Sequence, residues 1–356
     1  MDINNQKDFL IVGFGVAGLS ISKHLLDHNY SFHVIADMQP KASVVSGGLL
    51  NPVSLKRLKT AWNADLFHSF AIEFYKQFGS LLSKDYIRSI PIYRLFSSIE
   101  EQNQWFSQPD ANAVSFYLSN QISRLTNVYN PYQSSSVLDS FLIKLGLLIQ
   151  DFSAFLQSHN SLTTSIFDYS RIQFSNDLII YEGTAYKHLI FAEGYQMLNN
   201  PFFNYLPVYG NKGDYSIVRI PDLSEHRIYK SSKFLIPLGN QLFKFGATYQ
   251  RQFSDFDISS EATRSLQSEL DSLLKVDYEI VSQVSGVRPT SKDRFPVAGC
   301  HPTLKNLYIL NAMGSRGIMS SPWLAKNLVE SIVGGQEILK AVNVNRFTKK
   351  HFKQSS

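Results

Sequence analysis

Apolar positions change their spacing several times along this chain, and the changes mark out its elements. Asp8-Phe-Leu-Ile-Val12 is rich in β-formers and reads as a buried parallel strand. Leu19, Leu25 and Leu26, with polar residues between them, predict a helix ending near His28, and Phe32-His-Val-Ile35 predicts a second strand. Leu66, Phe70, Phe74 and Phe78 recur at every fourth residue, the pattern of an amphipathic helix with an aromatic stripe in the core. Strands are then expected over Ile90–Phe96 and, more weakly, near Val114–Leu118, with a helix over Asp139–Ile149. Leu178–Tyr181 and Lys187–Ala192 read as a hairpin whose last strand rejoins the parallel sheet. Tyr215–Ile220 is a further strand, and Phe234–Leu238 and Leu242–Tyr249 flank a Gly239-Asn240 turn. Ser259–Leu274 predicts a surface helix and Ile280–Val287 one more strand. The last part repeats the design of the first: a strand Leu307–Leu310, a glycine turn Gly314–Gly317, and a helix from Ser321 to Val333 with Pro322 in its first turn.

Between the first strand and the first helix stands Gly13-Phe-Gly15-Val16-Ala17-Gly18. Gly13 allows the tight turn, Gly15 lets backbone approach a pyrophosphate, and Gly18 lets helix pack closely on strand. A diphosphate there meets free N–H groups at the positive end of the helix dipole. In its strand–turn–helix setting the motif predicts dinucleotide binding. Asp37 lies about where a carboxylate would grip ribose hydroxyls, although the favoured position falls on Ala36, and a plain turn residue is the alternative. A second glycine loop, Ser46-Gly47-Gly48-Leu49, reads either as a surface turn or as a second approach of backbone to a large cofactor.

These placements give an α/β architecture with an α+β second domain. Residues 1–82, 133–204 and 287–340 form a discontinuous Rossmann-like nucleotide domain. Residues 83–132 and 205–286 form an antiparallel-sheet substrate domain, and 341–356 is a basic C-terminal tail.

At 356 residues, with 44% hydrophobic and 13% aromatic content, the chain is globular and can fill a substantial core. Cys300 is the only cysteine, so no intrachain disulfide can form and a reducing compartment fits. No leader pattern or membrane-length apolar run stands out, and a cytoplasmic location is the expectation. The net charge of +5 is spread along the chain, with clusters at Lys56-Arg57-Leu-Lys59 and at Arg346, Lys349, Lys350 and Lys353. Charge alone is a weak pointer to nucleic acid. No residue set is assigned to a metal, and the oligomeric state is open.

Further motifs carry a resemblance across nearly the whole chain: Phe191-Ala192-Glu193-Gly194, Phe245-Gly-Ala-Thr248, Gly286-Val-Arg288-Pro289-Thr290 with Asp293 and Pro296, and Gly314-Ser315-Arg316-Gly317-Ile318. Together they resemble the D-amino-acid oxidase/glycine oxidase superfamily. Closest in motif are glycine oxidase and the oxidase module of the bifunctional tRNA wobble-uridine modifying enzymes. Glu193 departs from the usual Thr, Ala36 from the usual acid, and the methyltransferase module of the tRNA enzymes has no counterpart here.

The resemblance implies non-covalent FAD. It would be held by the first glycine turn, Asp37, the 46–49 loop, the Ala192–Gly194 strand end and the Gly314–Ile318 turn, whose helix would aim its N-terminus at the pyrimidine end of the flavin. It implies hydride transfer from an amine carbon to flavin N5. The first reading of the substrate is a small carboxylate-bearing amine, either an amino acid or an N-substituted glycine. Second is a carboxymethylaminomethyl group on tRNA wobble uridine, with Lys56, Arg57 and Lys59 near the cleft mouth. A flavin-binding subunit of a larger dehydrogenase is third. Pro289 pushes Arg288 into extended backbone at a strand end, from which its guanidinium would hold a carboxylate through two parallel hydrogen bonds. A structural ion pair with Asp293 is the alternative. Tyr249 is the second expected substrate contact.

Overall fold

Four consecutive buried residues, Phe9 to Val12, make the first strand the spine of a sheet covered on both faces. The computed structural model describes residues 6–37, 39, 42–108 and 113–352. In chain order it begins with β1 (Gln6–Val12), α1 (Val16–Asp27), β2 (Phe32–Ala36), the single turn α2 (Ala42–Val45), β3 (Leu49–Leu50), β4 (Val53–Ser54) and β5 (Lys59–Thr60). There follow α3 (Ala64–Leu82), β6 (Ile87–Ser89), β7 (Ile92–Leu95), α4 (Ile99–Phe106), β8 (Ser134–Val137), β9 (Phe141–Ile143), α5 (Leu145–Ser158) and β10 (Leu162–Thr164). Next are β11 (Gln173–Ser175), β12 (Leu178–Tyr181), β13 (Thr184–Phe191), β14 (Val208–Arg219), β15 (Ile228–Lys230), β16 (Phe234–Gly239) and β17 (Leu242–Gly246). The chain finishes with α6 (Ser260–Leu273), β18 (Glu279–Ser291), β19 (Val297–Cys300), β20 (Leu307–Asn311), α7 (Gly317–Gly334) and α8 (Asn345–His351).

Two sheets organise these elements. The first runs β10-β2-β1-β13-β12-β11, with β20 added parallel to β13 and β19 antiparallel to β20. Strands β1, β2, β10, β13 and β20 are parallel, so residues far apart in sequence end on one carboxyl edge. Helices α1, α3, α5 and α7 cover one face through a core that includes Leu19, Phe74, Phe152 and Leu328. The second sheet runs β18-β14-β17-β16-β15-β7-β8. Helix α6 covers one of its faces through Leu266, Leu270 and Leu273, which join Val218, Phe243 and Phe245. Its other face looks toward the loops of the first sheet.

Several expectations need correction. The 114–118 segment is a short 3₁₀ turn rather than a strand, joined to β8 by a single bridge, Leu118 to Val137. Asp139–Ile149 is not one helix. Phe141–Ile143 pairs with β3 and β6, Lys144 turns the chain, and α5 starts at Leu145. A short unbroken apolar run fits a buried strand as well as a helix, and only the pairing partners decided. The stripe on α3 also drifts. A step of four residues turns about 40° past a full helical circle, so Phe74 and Phe78 are buried while Leu66 is 43% exposed.

β8 belongs to the second sheet, and β18 carries that sheet on through Ser291. The 341–356 segment is not simply a solvated tail. Val342, Val344 and Phe347 are buried, Val344 donates from its backbone to Ala298 at 2.8 Å, and Lys353 lies outside the described residues.

Helix α7 begins at Gly317, four residues earlier than expected, so Pro322 lies inside it rather than in its first turn. Proline has no N–H to give the carbonyl four residues back, which is that of Ile318. The fully buried Tyr75 of α3 donates its hydroxyl to that carbonyl at 2.9 Å. On the other side of the proline, His24 of α1 donates from Nε2 to the Pro322 carbonyl at 2.8 Å. Burial pushes the His24 pKa down to about 4, so the ring is neutral near neutrality and Nε2 carries the donated proton. Tyr75 thus replaces the donor that the interior proline lacks, and His24 ties α1 to α7 at the same turn.

Candidate cofactor and substrate site

A cavity of about 880 Å³ lies between the carboxyl edge of the first sheet and the open face of the second. Its nucleotide end is built from backbone. Gly13 has φ +96°, and a Cβ on it would press against the Ala192 carbonyl. A Cβ on Gly18 would collide with the carbonyl of Gly13, so Gly18 does not line the cavity but lets α1 close on β1. Gly15 is different. Its absent Cβ has only the Ser43 side chain nearby, at 3.1 and 3.9 Å, and otherwise meets open cavity. The first turn of α1 carries no acidic side chain. Ser43, which lines the cavity, accepts the Val16 N–H at 3.0 Å, and its hydroxyl still has a proton to donate. This contact was missed from sequence; the only hint was a serine beside the second glycine loop.

Except for Gly18, every residue expected to touch the cofactor, and both expected substrate contacts, line this one cavity: Gly13, Gly15, Val16 and Ala17, Asp37, the 46–49 loop, Ala192 to Gly194, Gly314 to Ile318, Arg288 and Tyr249; of the basic cluster only Lys56 does, and Arg57 and Lys59 do not. Their side chains are occupied in different ways. Asp37 accepts a hydrogen bond from Gln196 at 3.1 Å. Glu193 is buried, accepting from Asn200 at 2.7 Å and from the Tyr169 hydroxyl. Arg316 donates to the carbonyls of Asn51 (2.7 Å) and Val53 (3.1 Å), so its guanidinium clamps the strand beyond the second glycine loop. That loop is tied from the second sheet too. Lys244 of β17 donates to the carbonyls of Val45 (2.9 Å) and Ser46 (3.0 Å), and burial pushes its pKa down to about 8.

At the other end the second sheet supplies the chemistry. Tyr215 stands opposite Gly246, and a Cβ on that glycine would strike the tyrosine ring, so the glycine of Phe245-Gly-Ala-Thr248 makes room for an aromatic floor. Thr248 accepts from the Asp214 N–H (2.9 Å) and donates to Asp214 Oδ2 (3.2 Å), holding the end of that motif on β14. Burial raises the Tyr215 pKa, against the pull of the Arg288 charge. Arg288 extends back along β14 until its guanidinium covers the bare Gly213, and it donates to Ser315 at 3.3 Å. No carboxylate pairs with it among the described residues. The expected competitor, Asp293, is held by Arg346 at 2.8 and 3.2 Å. Tyr249 lies beyond the end of β17, is 60% exposed, and has the Arg251 guanidinium 5.8 Å from its ring centre. Hydrogen bonding to Arg251, above all, lowers its pKa. Cys300 is half-buried on β19 and does not line the cavity.

Residues 164–331 match the family model described as FAD dependent oxidoreductase, DAO. The match takes in a little under half of the chain, from β10 into α7. Among solved structures, glycine oxidase from Bacillus cereus superposes with a TM-score of 0.76 at 18% identity, covering 94% of this chain and 99% of that one. Glycine oxidase from Geobacillus kaustophilus gives 0.71 at 18%, covering 99% and 100%. Iminodiacetate oxidase from Chelativorans gives 0.72 at 16%, covering 93% and 96%. At such identities these likenesses show the fold.

Among curated proteins, the tRNA 5-methylaminomethyl-2-thiouridine biosynthesis bifunctional protein of Idiomarina loihiensis is 30% identical over 155 residues, 40% of this chain and 25% of that one. Its counterpart in Shewanella halifaxensis is 28% identical over 188 residues, covering 42% and 29%. The chain thus matches less than a third of the length of these relatives. Among its described residues no helix is long and apolar enough to cross a membrane.

The cavity's residues fit FAD. Two helix N-termini, those of α1 and α7, open on one space through Gly15 and Gly317, and at Gly15 the room a side chain would take is left to the cavity.

Proposed function

We propose that this chain is an FAD-dependent oxidoreductase that oxidises the C–N bond of a small amine that bears a carboxylate, an amino acid or an N-substituted glycine. The observation that carries this reading is Arg288, a cation without a carboxylate partner among the described residues, lying over Gly213 in the cavity wall. A bidentate guanidinium–carboxylate pair orients its ligand as well as attracting it, and Tyr215 on the same sheet face supplies an apolar wall beside it. When bound, FAD supplies the two-electron acceptor for the oxidation. The chain's own part is positioning: Arg288 fixes the carboxylate, Ser315 braces Arg288, and the Arg316 and Lys244 ties hold the 45–53 segment in place. The test is a panel of amino acids and N-substituted glycines mixed anaerobically with the yellow protein. Bleaching of the flavin band by a carboxylate-bearing amine, but not by its amide, supports the reading; equal bleaching by both removes it.

A second reading is favoured by the cleft mouth and by the curated relatives. Phe256 is 63% exposed and lines the cavity with Tyr249, Arg251 stands over the Tyr249 ring, and Lys56 and Arg57 are exposed on the β4–β5 turn. Aromatic and cationic groups together suit a nucleobase and its backbone, so the amine could be presented on tRNA. Binding of tRNA that weakens steeply with salt supports this second reading; no binding at low salt removes it.

A further inference from the structure

The row of residues that holds Tyr215 continues across the open face of the second sheet to two side chains with no part in holding the cofactor or Arg288, Phe234 and Lys230. Cross-strand register places Tyr215 of β14 opposite Gly246 of β17, Gly246 opposite Phe234 of β16, and Phe234 opposite Lys230 of β15. Directly opposed residues share a face, so Tyr215, Phe234 and Lys230 stand on one surface, and all three line the cavity. Lys230 has its Nζ 4.8 Å from the centre of the Phe234 ring. Two of its three donors reach the carbonyls of Ser231 (3.1 Å) and Ser232 (2.6 Å) in the β15–β16 turn.

The charge here is unbalanced. Arg94 of β7 is taken by Glu101 of α4 at 2.6 Å, and Lys233 by Glu269 of α6. Lys230 stands between those two cations with no carboxylate of its own among the described residues. Burial, and then the charges of Arg94 and Lys233, push its pKa down to about 8, with Glu101 and Glu269 opposing. A cation held in a cavity wall by carbonyls alone favours an incoming anion. From β14 to β15 is three strand spacings, about 14 Å, and the Arg288 guanidinium lies on the β14 side of the cavity.

We propose that Lys230 and the Ser231–Lys233 turn form a second anion subsite, so that the preferred amine carries a carboxylate for Arg288 and, across the Tyr215–Phe234 floor, a second anionic group, a carboxylate or a phosphate. This rests on the reading of Arg288 given above.

The experiment uses the FAD-loaded protein and N-alkylglycines of matched length whose chain ends in methyl, carboxylate or phosphate. KM for an anionic tail six to eight carbons long should fall about tenfold or more below that of the methyl-ended compound, roughly the strength of one charge-assisted contact. Lys230→Met should erase that preference while leaving KM of the methyl-ended compound and the thermal melt unchanged, and Lys230→Arg should retain it. A preference for phosphate over carboxylate identifies the tail as a phosphate ester; the reverse order identifies a dicarboxylic amine. Equal KM for methyl and anionic tails, or a preference that survives in Lys230→Met, overturns the proposal.

A second readout separates this failure from failure of the amine reading. Acylation of Lys230 at pH 8, followed by mass spectrometry, should be slowed by the α,ω-dicarboxylate azelate and not by the monocarboxylate nonanoate. Protection without turnover of any amine keeps the subsite and rejects the oxidase reading. Equal labelling in both rejects the subsite.

Discussion

The two ends of the cavity are made in opposite ways. The nucleotide end is a backbone device: β1, the glycine turn and α1 follow one another within twenty-two residues, and three missing side chains define the shape. The substrate end is a side-chain device. Arg288, Tyr215 and Lys230 come from strands spread over more than seventy residues and meet only because β18, β14, β17, β16 and β15 lie side by side. A backbone device tolerates almost no substitution at its glycines and announces itself in the sequence. A side-chain device can lose its function while the fold survives, and its membership is invisible until the strand order is known.

Substitutions at the glycines should have the largest effect and should divide the turn itself. Gly18→Val drives a Cβ into the backbone carbonyl of Gly13, with no flexible group to yield. The expected cost exceeds roughly 4–5 kcal/mol, and no folded protein should be recovered by circular dichroism. Gly15→Val faces mainly the Ser43 side chain. It should fold, melt near the apo wild type, and purify colourless because the branched side chain occupies diphosphate space. A yellow Gly15→Val protein would break the assignment of the turn.

Arg288→Lys tests the other end. With no carboxylate lost, the melting temperature should hold, while kcat/KM for a carboxylate-bearing amine falls by about 2–5 kcal/mol in transition-state terms. Lowered stability with unchanged flavin reduction would make Arg288 structural and erase the contrast between the two ends.

Acid should weaken the nucleotide side. His24 has a folded pKa of about 4 against an ordinary 6.5, because it is buried against α7. Between those values the unfolded chain binds the proton first. Its contribution is therefore complete above pH 6.5 and is lost as pH falls toward 4, by on the order of 3 kcal/mol in all. Urea titrations at pH 7 and pH 5 should show the decline, and His24→Gln should flatten it. A slope unchanged in His24→Gln would place the acid sensitivity elsewhere.

Tyr75→Phe should have the smallest effect. The Ile318 carbonyl, already deprived of a helical donor by Pro322, would lose its replacement, at a cost of about 1–3 kcal/mol. Adding Pro322→Ala should recover much of this loss, because the alanine N–H can serve the same carbonyl. Independent, additive effects would disconnect tyrosine from proline.

Much of the first sheet was readable without coordinates. β1, α1, β2, the β12–β13 hairpin and β20 show themselves through local apolar spacing, and the glycine turn through its place between strand and helix. Local signals of this kind survive because the residues that make them are neighbours in the chain. The start of α7 was misread because a proline usually marks a first turn, and nothing near residue 322 reveals that Tyr75 and His24 reach it from other helices. Arg316, which lines the cavity, also holds two carbonyls with its guanidinium, and only the approach of residues 51–53 reveals that tie. The sequence by itself determined the glycine turn between β1 and α1 and singled out Arg288 as a candidate ligand for a carboxylate. The tertiary structure alone decided that Asp293 belongs to Arg346, that Ser43 and Lys244 bear on the glycine loops, and that Lys230 shares a surface with Tyr215. Strand order and register made those neighbours, and they are set by pairing between segments whose separation along the chain carries no trace of the distance between them in space.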